Sequence, residues 1–571
     1  VELLNLKKNL KRNFSHCYSL QTVIIPKVQQ IACSFKQCYD LKYVEADTLT
    51  EIQDSFTEAF QQFELFAPNL TIEESELHKM KAVLVHHKIP QTQKIDLNDQ
   101  ILQNQKLQPQ LYQLKSENQG LTMTKNQLDK ASEQEKIEIV KQSDEYIEFL
   151  TNNHVDRERV NWAINILKQH DFKLIQLGGE EDLKQGDKFY YINKGKNMTC
   201  GIIGEKPEFT ILQAHADYPH IDLKPNFVVD QTDCVMFKTH YYGGIKKYQY
   251  ATTPMMIKII HAKNNETVIH TIGDKRDDPV FTIPDLLIHL SGIIQADRKM
   301  KEVVKATEMN VLAGTTKGEF AKFSEKFYQL MEQRTGLAKN DLQFCEIQLY
   351  PAFGARYVGM DKSMIGGSGQ DDGICCFTAI KALLQTQNST YTSIVSLTSY
   401  EETGSNGCVG AQSQQLLFQL RDVLYRQNIA ERQHQRILSD SFGVAADVSG
   451  LMDANFMGAH DKQNSALLNM GTNINRYTGS GGKSGAYEAD TETMFMLKNT
   501  IDQRFYQIAT LGEVDIGGGG TTCKYISQML NCRCIDMGTA LLNMHSPFEV
   551  CGTYDLWATT KAYEALMMRK M

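Results

Sequence analysis

His215, Asp371, Glu402, Asp447 and His545 are donors of the kinds that bind zinc. Five of them, with one carboxylate shared, could hold two ions and activate a water between them. Glu401 stands beside Glu402 as a candidate general base. A metal-bound imidazole commonly donates its other ring N–H to a carboxylate, and Asp217, two residues after His215, is placed to receive it. Two cations roughly 3.5–4 Å apart need an anion between them. Asp371, in the run Gln370-Asp371-Asp372-Gly373 behind Gly366, Gly367 and Gly369, is the choice for that bridge. Each segment alone has an ordinary alternative: a structural imidazole–carboxylate hydrogen bond, an Asx turn, a solvated acidic pair, or a structural histidine.

Donors this far apart in sequence meet only if a fold carries them. Short apolar runs bounded by turn residues predict strands at 189–192, 209–212, 393–397 and 442–446. The second leads into His215, the third towards Glu401 and Glu402, and the fourth into Asp447. Residues at strand ends are where an open α/β sheet places its chemistry. Neighbouring side chains on a strand point to opposite faces, so Glu401 and Glu402 need a turn, which Gly404 could supply. Val160, Ala163, Ile164 and Leu167 have helical spacing, and the enzymatic region is set to start near 141.

The 571 residues, 42% hydrophobic and 22% charged, fit a globular chain of three or four structural units. A net charge of −8 leaves no basic excess to follow nucleic acid or an anionic membrane. No apolar run reaches the length of a membrane span. The 13 cysteines are scattered without a CxxC pair and read as reduced thiols of a soluble intracellular, cytoplasmic protein. The acid-free stretch from Leu3 to Tyr39, with Lys7, Lys8, Lys11, Arg12, Lys27 and Lys36, makes a mitochondrial location the alternative. A basic surface segment is the preferred reading of it, because Arg12 is its only arginine.

Residues 1–140 read as an N-terminal extension. Ile52, Phe56, Phe60 and Phe63 are spaced as a helical stripe, and the Gln-rich stretch 91–134 reads as a polar linker or helical arm. No internal repeat of solenoid type is recognised. Between the first and second donors there is room for an inserted domain, set at 236–362 on size, with a strand expected at 255–261 and a helix at 285–294.

The segments HADYPHIDLKPN at His215, SMIGGSGQDDG at Ser363, EETGSNG at Glu401, AADV at Ala445, RYTGSGGKSG at Arg476, VDIGGGGT at Val514 and NMHSPFEV at Asn543 resemble, in this order, the aspartyl aminopeptidase family of two-zinc metallopeptidases. The likeness is greatest to the branch common in bacteria and runs from about Tyr146 to Leu566. The resemblance implies a mixed α/β catalytic domain in two parts, 141–235 and 363–571, interrupted by a β-rich dimerisation domain. It further implies a dimer-based homododecamer that admits small peptides.

By the same resemblance His215 and Asp447 bind one zinc, Glu402 and His545 the other, Asp371 bridges, Asp217 supports His215, and Glu401 is the base. The family removes the first residue of a peptide, Asp or Glu in its best-known members. Arg476, with Lys483 behind it, is therefore the candidate for gripping a substrate carboxylate. Gly519, Gly520 and Thr521, in a glycine run that lacks the GK[ST] ending of a phosphate loop, are candidates for backbone contact with substrate. Three positions depart from better-known members: Gly450 and Asp285 stand where those carry histidine, and Gly481 where an arginine is frequent. These departures bear on the acidic preference, so a neutral first residue stays open. The rival readings are a scaffold that reuses the peptidase shell and a zinc carboxypeptidase or deacylase.

Overall fold

The computed structural model describes residues 126–570 except Asn265, Ser480, Ala486, 516–518 and Gly520, together with the backbone of seven short strands between residues 9 and 84. The chain divides into two compact units, 1–112 and 113–571.

In the first unit the strands are β1 (Asn9–Lys11), β2 (Thr22–Ile24), β3 (Gln30–Ala32), β4 (Tyr43–Glu45), β5 (Glu51–Gln53), β6 (Phe63–Phe66) and β7 (Ala82–Leu84). They form two parallel sheets, β1-β3-β5 and β2-β4-β6-β7. Ile52 and Phe63, expected on a helical stripe, are thus strand residues, because their backbones pair with segments about 21 positions away rather than within one helix. Phe56, Phe60 and most of the Gln-rich stretch lie outside the described residues.

The second unit opens with two helices, Glu133–Asn152 and Asp156–Gln169. Ser132 and Glu135 close a capping box at the first, satisfying two N–H groups that the helix start leaves free. A nine-stranded sheet follows, built from β8 (Lys173–Leu174), β9 (Lys188–Asn193), β10 (Asn197–Ile202), β11 (Lys206–His215) and later strands. The chain then leaves this sheet for β12 (His220–Asp230), β13 (Val235–Tyr242), β14 (Met255–Lys263), β15 (Glu266–Ile272), β16 (Val311–Gly314) and β17 (Glu346–Pro351). These six make the inserted sheet, in the order β15-β14-β17-β12-β13-β16, with its own core around Ile221, Phe237, Ile257 and Leu349. The sheet takes in β12, which lies before the boundary placed at 236 on size alone.

After β18 (Arg356–Val358) and β19 (Met364–Gly367) the chain returns through the helix Gln370–Gln385 to β20 (Tyr391–Thr398) and β21 (Phe442–Ala445). The remaining strands are β22 (Ser449–Gly450), β23 (Thr472–Asn475), β24 (Tyr506–Ala509), β25 (Arg533–Gly538), β26 (Ala540–Leu541) and β27 (Glu549–Gly552). All four strands expected around the site are present, three of them within β9, β11 and β20 and the fourth as β21, which ends one residue before the expected 446.

The nine-stranded order is β24-β23-β25-β21-β11-β20-β10-β9-β8. Its centre is parallel: β11 pairs with β20 on one side and β21 on the other, and β21 pairs with β25. Alternate side chains feed two cores. Leu212 and Ala214 pack with Ile374, Phe377 and Leu556 of the helices Gln370–Gln385 and Thr553–Met567, while Phe209 and Ile211 pack with Leu420, Val423 and Ile526 on the opposite face. Burial on both faces accounts for the near-continuous apolar runs of these strands. Because β20 lies on one side of β11 and the later β21 on the other, the winding of the sheet reverses there, and the C-terminal ends of the three strands meet at the position a doubly wound sheet offers a ligand.

Candidate metal centre

His215 ends β11, and its register partner on β20 is Thr398, three residues before Glu401. Gln213 pairs with Ala445 of β21, two residues before Asp447. Parallel register alone therefore brings three of the five donors to one edge. Asp371 arrives in the non-helical first turn of the helix Gln370–Gln385, just after β19, and His545 from the loop before β27, two strands that pair antiparallel.

The imidazole Nε2 of His215 lies 3.2 Å from Asp371 Oδ1 and 3.7 Å from Asp447 Oδ1. Nε2 of His545 lies 3.1 Å from Asp371 Oδ2 and 3.5 Å from Glu402 Oε1. Asp371 thus turns one oxygen to each histidine, and the five donors fall into the triplets His215-Asp371-Asp447 and Asp371-Glu402-His545, beside a third group, His215-Glu401-Glu402, that includes the candidate base. Asp371 Oδ1 and Glu402 Oε1 are buried without a hydrogen-bond partner among the described residues. Buried carboxylate oxygens without a partner are costly unless a cation faces them. The donor set of imidazole and carboxylate suits zinc.

The other ring nitrogens are held. His215 Nδ1 lies 3.0 Å from the carbonyl of Asp217, and His545 Nδ1 lies 2.7 Å from the carbonyl of Gly244, which favours N–H at Nδ1 and leaves Nε2 its lone pair. Asp217 does more than face His215. Its Oδ1 accepts the Glu401 N–H at 3.1 Å, and its Oδ2 accepts the Glu402 N–H at 3.3 Å and the Tyr242 hydroxyl at 2.8 Å.

The turn that separates Glu401 from Glu402 uses Gly404 (φ 104°), as expected, and also Tyr400 in the left-handed region at φ 63°. Gly243 is required in the HYYGG segment: at φ 75°, a Cβ there would come within 3.0 Å of Glu402 Oε2.

Electrostatics follow from burial of so many acids. Burial raises Glu401 to about 7, with Asp447 and Asp371 adding to the shift against His215. Burial would likewise raise Asp371, but His215 and His545, each facing one of its oxygens, hold it well below the usual carboxylate range. His545 is lowered by burial and raised more by Asp371, to about 10. A cluster that retains protons so strongly is one that a divalent cation would neutralise.

Two partners in this geometry, Glu549 and Arg159, were not among the expected site residues. Glu549, fully buried at the start of β27, accepts the N–H of Gln370 at 2.6 Å and of Asp371 at 3.2 Å through Oε2. Arg159 is fully buried in a helix, bonding the carbonyls of Gly369 at 2.6 Å and Ala216 at 3.2 Å, with its guanidinium over the Tyr218 ring. It ties the loop before Asp371 to the loop after His215. An arginine beside the apolar stripe of Val160, Ala163 and Leu167 was the available clue.

A cavity of about 210 Å³ opens beside the donors, lined by Asp371, Glu401, Asp447 and His545 on one side and by Tyr477, Thr510, Leu511 and Met544 among others. Gly519 and Thr521 line it as well, whereas Gly520 lies outside the described residues. Arg476 does not line it. Asn475 and Tyr477 do, and the intervening Arg476 is exposed, as alternation along an extended chain requires. Lys483 is also absent from the lining: its Nζ bonds Glu488 at 2.8 Å and sits 4.3 Å over the Tyr477 ring.

The pattern of the aminopeptidase I zinc metalloproteases, family M18, matches residues 149–567. The chain belongs to the M18 aminopeptidases. A probable M18 family aminopeptidase 1 of Clostridium acetobutylicum is 35% identical over 456 residues, spanning 78% of this chain and 98% of that protein. The crystal structure of an M18 aminopeptidase from Thermotoga maritima superposes with a TM-score of 0.72 at 33% identity, covering 78% of this chain and 99% of the other. A S. cerevisiae mApe1 dodecamer shares the fold at 21% identity and a TM-score of 0.58, over 74% of this chain and 95% of that one. This M18 aminopeptidase is therefore a metallopeptidase, and its described residues contain no helix long and apolar enough to cross a membrane. Every cysteine among them is an unpaired thiol.

Proposed function

We propose that this M18 aminopeptidase removes the first residue of small peptides with two zinc ions, one held by His215 and Asp447, the other by Glu402 and His545, with Asp371 between. The observation that carries this reading is the position of Asp371, with one oxygen towards each histidine. Bound there, two zinc ions would polarise a peptide carbonyl and acidify a water. Glu401, raised to about 7, takes the proton of the attacking water and returns it to the departing amine. Asp217 positions that base by holding its backbone N–H. Thr521 and Gly519 lie along the cavity where the substrate backbone would run.

The first-residue preference is for uncharged side chains. Among its described residues the cavity has no lysine or arginine, its apolar wall is Val448, Tyr477, Leu511 and Met544, and a further acid, Asp536, lies in its buried wall. Neither oxygen of Asp536 finds a hydrogen-bond partner among the described residues. A carboxylate entering this cavity meets acids and no guanidinium, so the acidic preference expected through Arg476 and Lys483 is not the one favoured.

The assembly is a homo-oligomer built on this fold, for which the similar yeast dodecamer is one precedent. The helix Ile288–Ile294 of the inserted domain supports this, because Ile288 and Ile293 are 77% and 83% exposed.

The test is a peptide library with zinc-loaded enzyme. Peptides beginning with Leu, Met or Ala should be cut with kcat/KM at least about tenfold above those beginning with Asp or Glu, the scale of a single unfavourable pocket contact. Their N-acetylated forms should stay intact. Faster cleavage after Asp or Glu would overturn the preference and leave the chemistry standing, whereas cleavage of acetylated peptides would overturn the reaction.

A further inference from the structure

None of the residues named in the chemistry above lies in the first unit, the family match begins at residue 149, and the C. acetobutylicum relative is covered to 98% by 78% of this chain. We propose that the seven short strands between residues 9 and 84 are rungs of a β-solenoid with a 21-residue period, a repeat module joined to the peptidase and dispensable for hydrolysis.

Three observations carry it. The first is the path of the chain: β1, β3 and β5 form one sheet and β2, β4 and β6 the other, so successive strands alternate between sheets and all pairs are parallel. A chain that passes from one sheet to the other and back while always running the same way is coiling. The spacers alternate too, long at 12–21, 33–42 and 54–62, short at 25–29 and 46–50.

The second is the register. Asn9 pairs with Gln30 and Gln30 with Glu51, steps of 30 − 9 = 21 and 51 − 30 = 21. Thr22 pairs with Tyr43 and Tyr43 with Glu64, again 21 each, and the last step, Phe63 to Ala82, is 19. Two ladders of aliphatic residues lie in register as a result, Leu10-Ile31-Ile52 and Val23-Val44-Leu65-Leu84.

The third corrects the expectation that the chain holds no internal repeat: the sequence between the strands recurs at the same step. Phe14, Phe35 and Phe56 are in phase, as are Tyr18, Tyr39 and Phe60, Cys17 and Cys38, and Val28, Leu49 and Leu70. Recurrence of one residue type at a fixed step is the sequence signature of a stacked repeat. About three repeats are the minimum for a stable stack, and each sheet supplies at least three strands.

The experiment is hydrogen exchange read by mass spectrometry on the full chain, with peptidase activity followed in parallel. In the wild type, β1 to β6 should be protected. Ile31→Asp, at the middle rung of the first ladder, should abolish protection in both sheets over residues 9–66, because neighbour contacts carry the stack. Ile31→Val should retain protection. Both variants, and a chain lacking residues 1–112, should keep kcat/KM within about twofold of wild type, as expected for a separate unit. Exchange of the wild-type strands as fast as free peptide, loss confined to residues 30–32 in Ile31→Asp, or a tenfold fall in kcat/KM on deletion with zinc retained would each overturn the proposal.

Discussion

Glu549 Oε1 accepts the backbone N–H of His545 at 2.7 Å, while Oε2 of the same side chain accepts that of Asp371 at 3.2 Å. One buried carboxylate therefore fixes the loops of two donors that are 174 residues apart by number, 545 − 371. It also steadies His545 in a left-handed backbone conformation, φ 63°, that L residues adopt at a cost.

Glu549→Gln removes the charge and puts an amide N–H₂ opposite one of these N–H groups. Supporting partners of metal ligands are worth about 10–100-fold in metal affinity or activity. Zinc titration of the variant should show a loss of that size, with kcat/KM falling in step. Wild-type zinc affinity would mean that the His545 loop holds itself.

Arg159→Met leaves the carbonyls of Gly369 and Ala216 buried without their donor. Each such group costs about 1–3 kcal/mol. Thermal unfolding should move down by several degrees, and Arg159→Lys should recover little because a single ammonium cannot reproduce the fork. An unchanged midpoint in either variant would contradict the role given to this side chain.

The pH response of the metal-free protein has a definite sign. Burial holds Glu401 at about 7 and Glu549 at about 8, both above the ordinary value of 4.5, and the surrounding acids hold His545 at about 10 against 6.5. In every case the folded chain keeps a proton that the unfolded chain has already released. Stability thus falls as pH rises, from about 4.5 to 8 for the two glutamates and from about 6.5 to 10 for the histidine. Asp371 acts oppositely, but its window lies below pH 3.8. After chelation the melting temperature should drop between pH 5.5 and 8.5, and added zinc should restore it most at the alkaline end. A rise in the metal-free melting temperature over that range would contradict this picture.

The apolar helix Ile288–Ile294 should be covered in solution. Ile288→Asp with Ile293→Asp is expected to shift light-scattering mass towards smaller species without altering zinc content. An unchanged assembly would place the interface elsewhere.

Much of this site could be read before any geometry. His215, Glu402 and Asp447 follow apolar runs that became β11, β20 and β21, because a strand buried on both faces writes itself as a run of Val, Ile and Phe. Asp371 and His545 were legible only through their motifs, since their loops are set by β19 and β27, short strands with weak patterns. The direction of Arg476 depended on one step of strand alternation just past β23, which composition does not record. In the N-terminal unit the misreading has a physical cause. Ile52, Phe56 and Phe60 repeat every four residues in the sequence, which imitates a helix, and only the 21-residue recurrence distinguishes the two.

The most direct measurement of the central claim is the turnover of Glu401→Gln with zinc counted in the same sample. The variant should bind two zinc ions per subunit, as the wild type should, and lose about 10²–10⁴-fold in kcat, the range for a general base. Two bound zinc ions with turnover within about threefold of wild type would contradict the assignment.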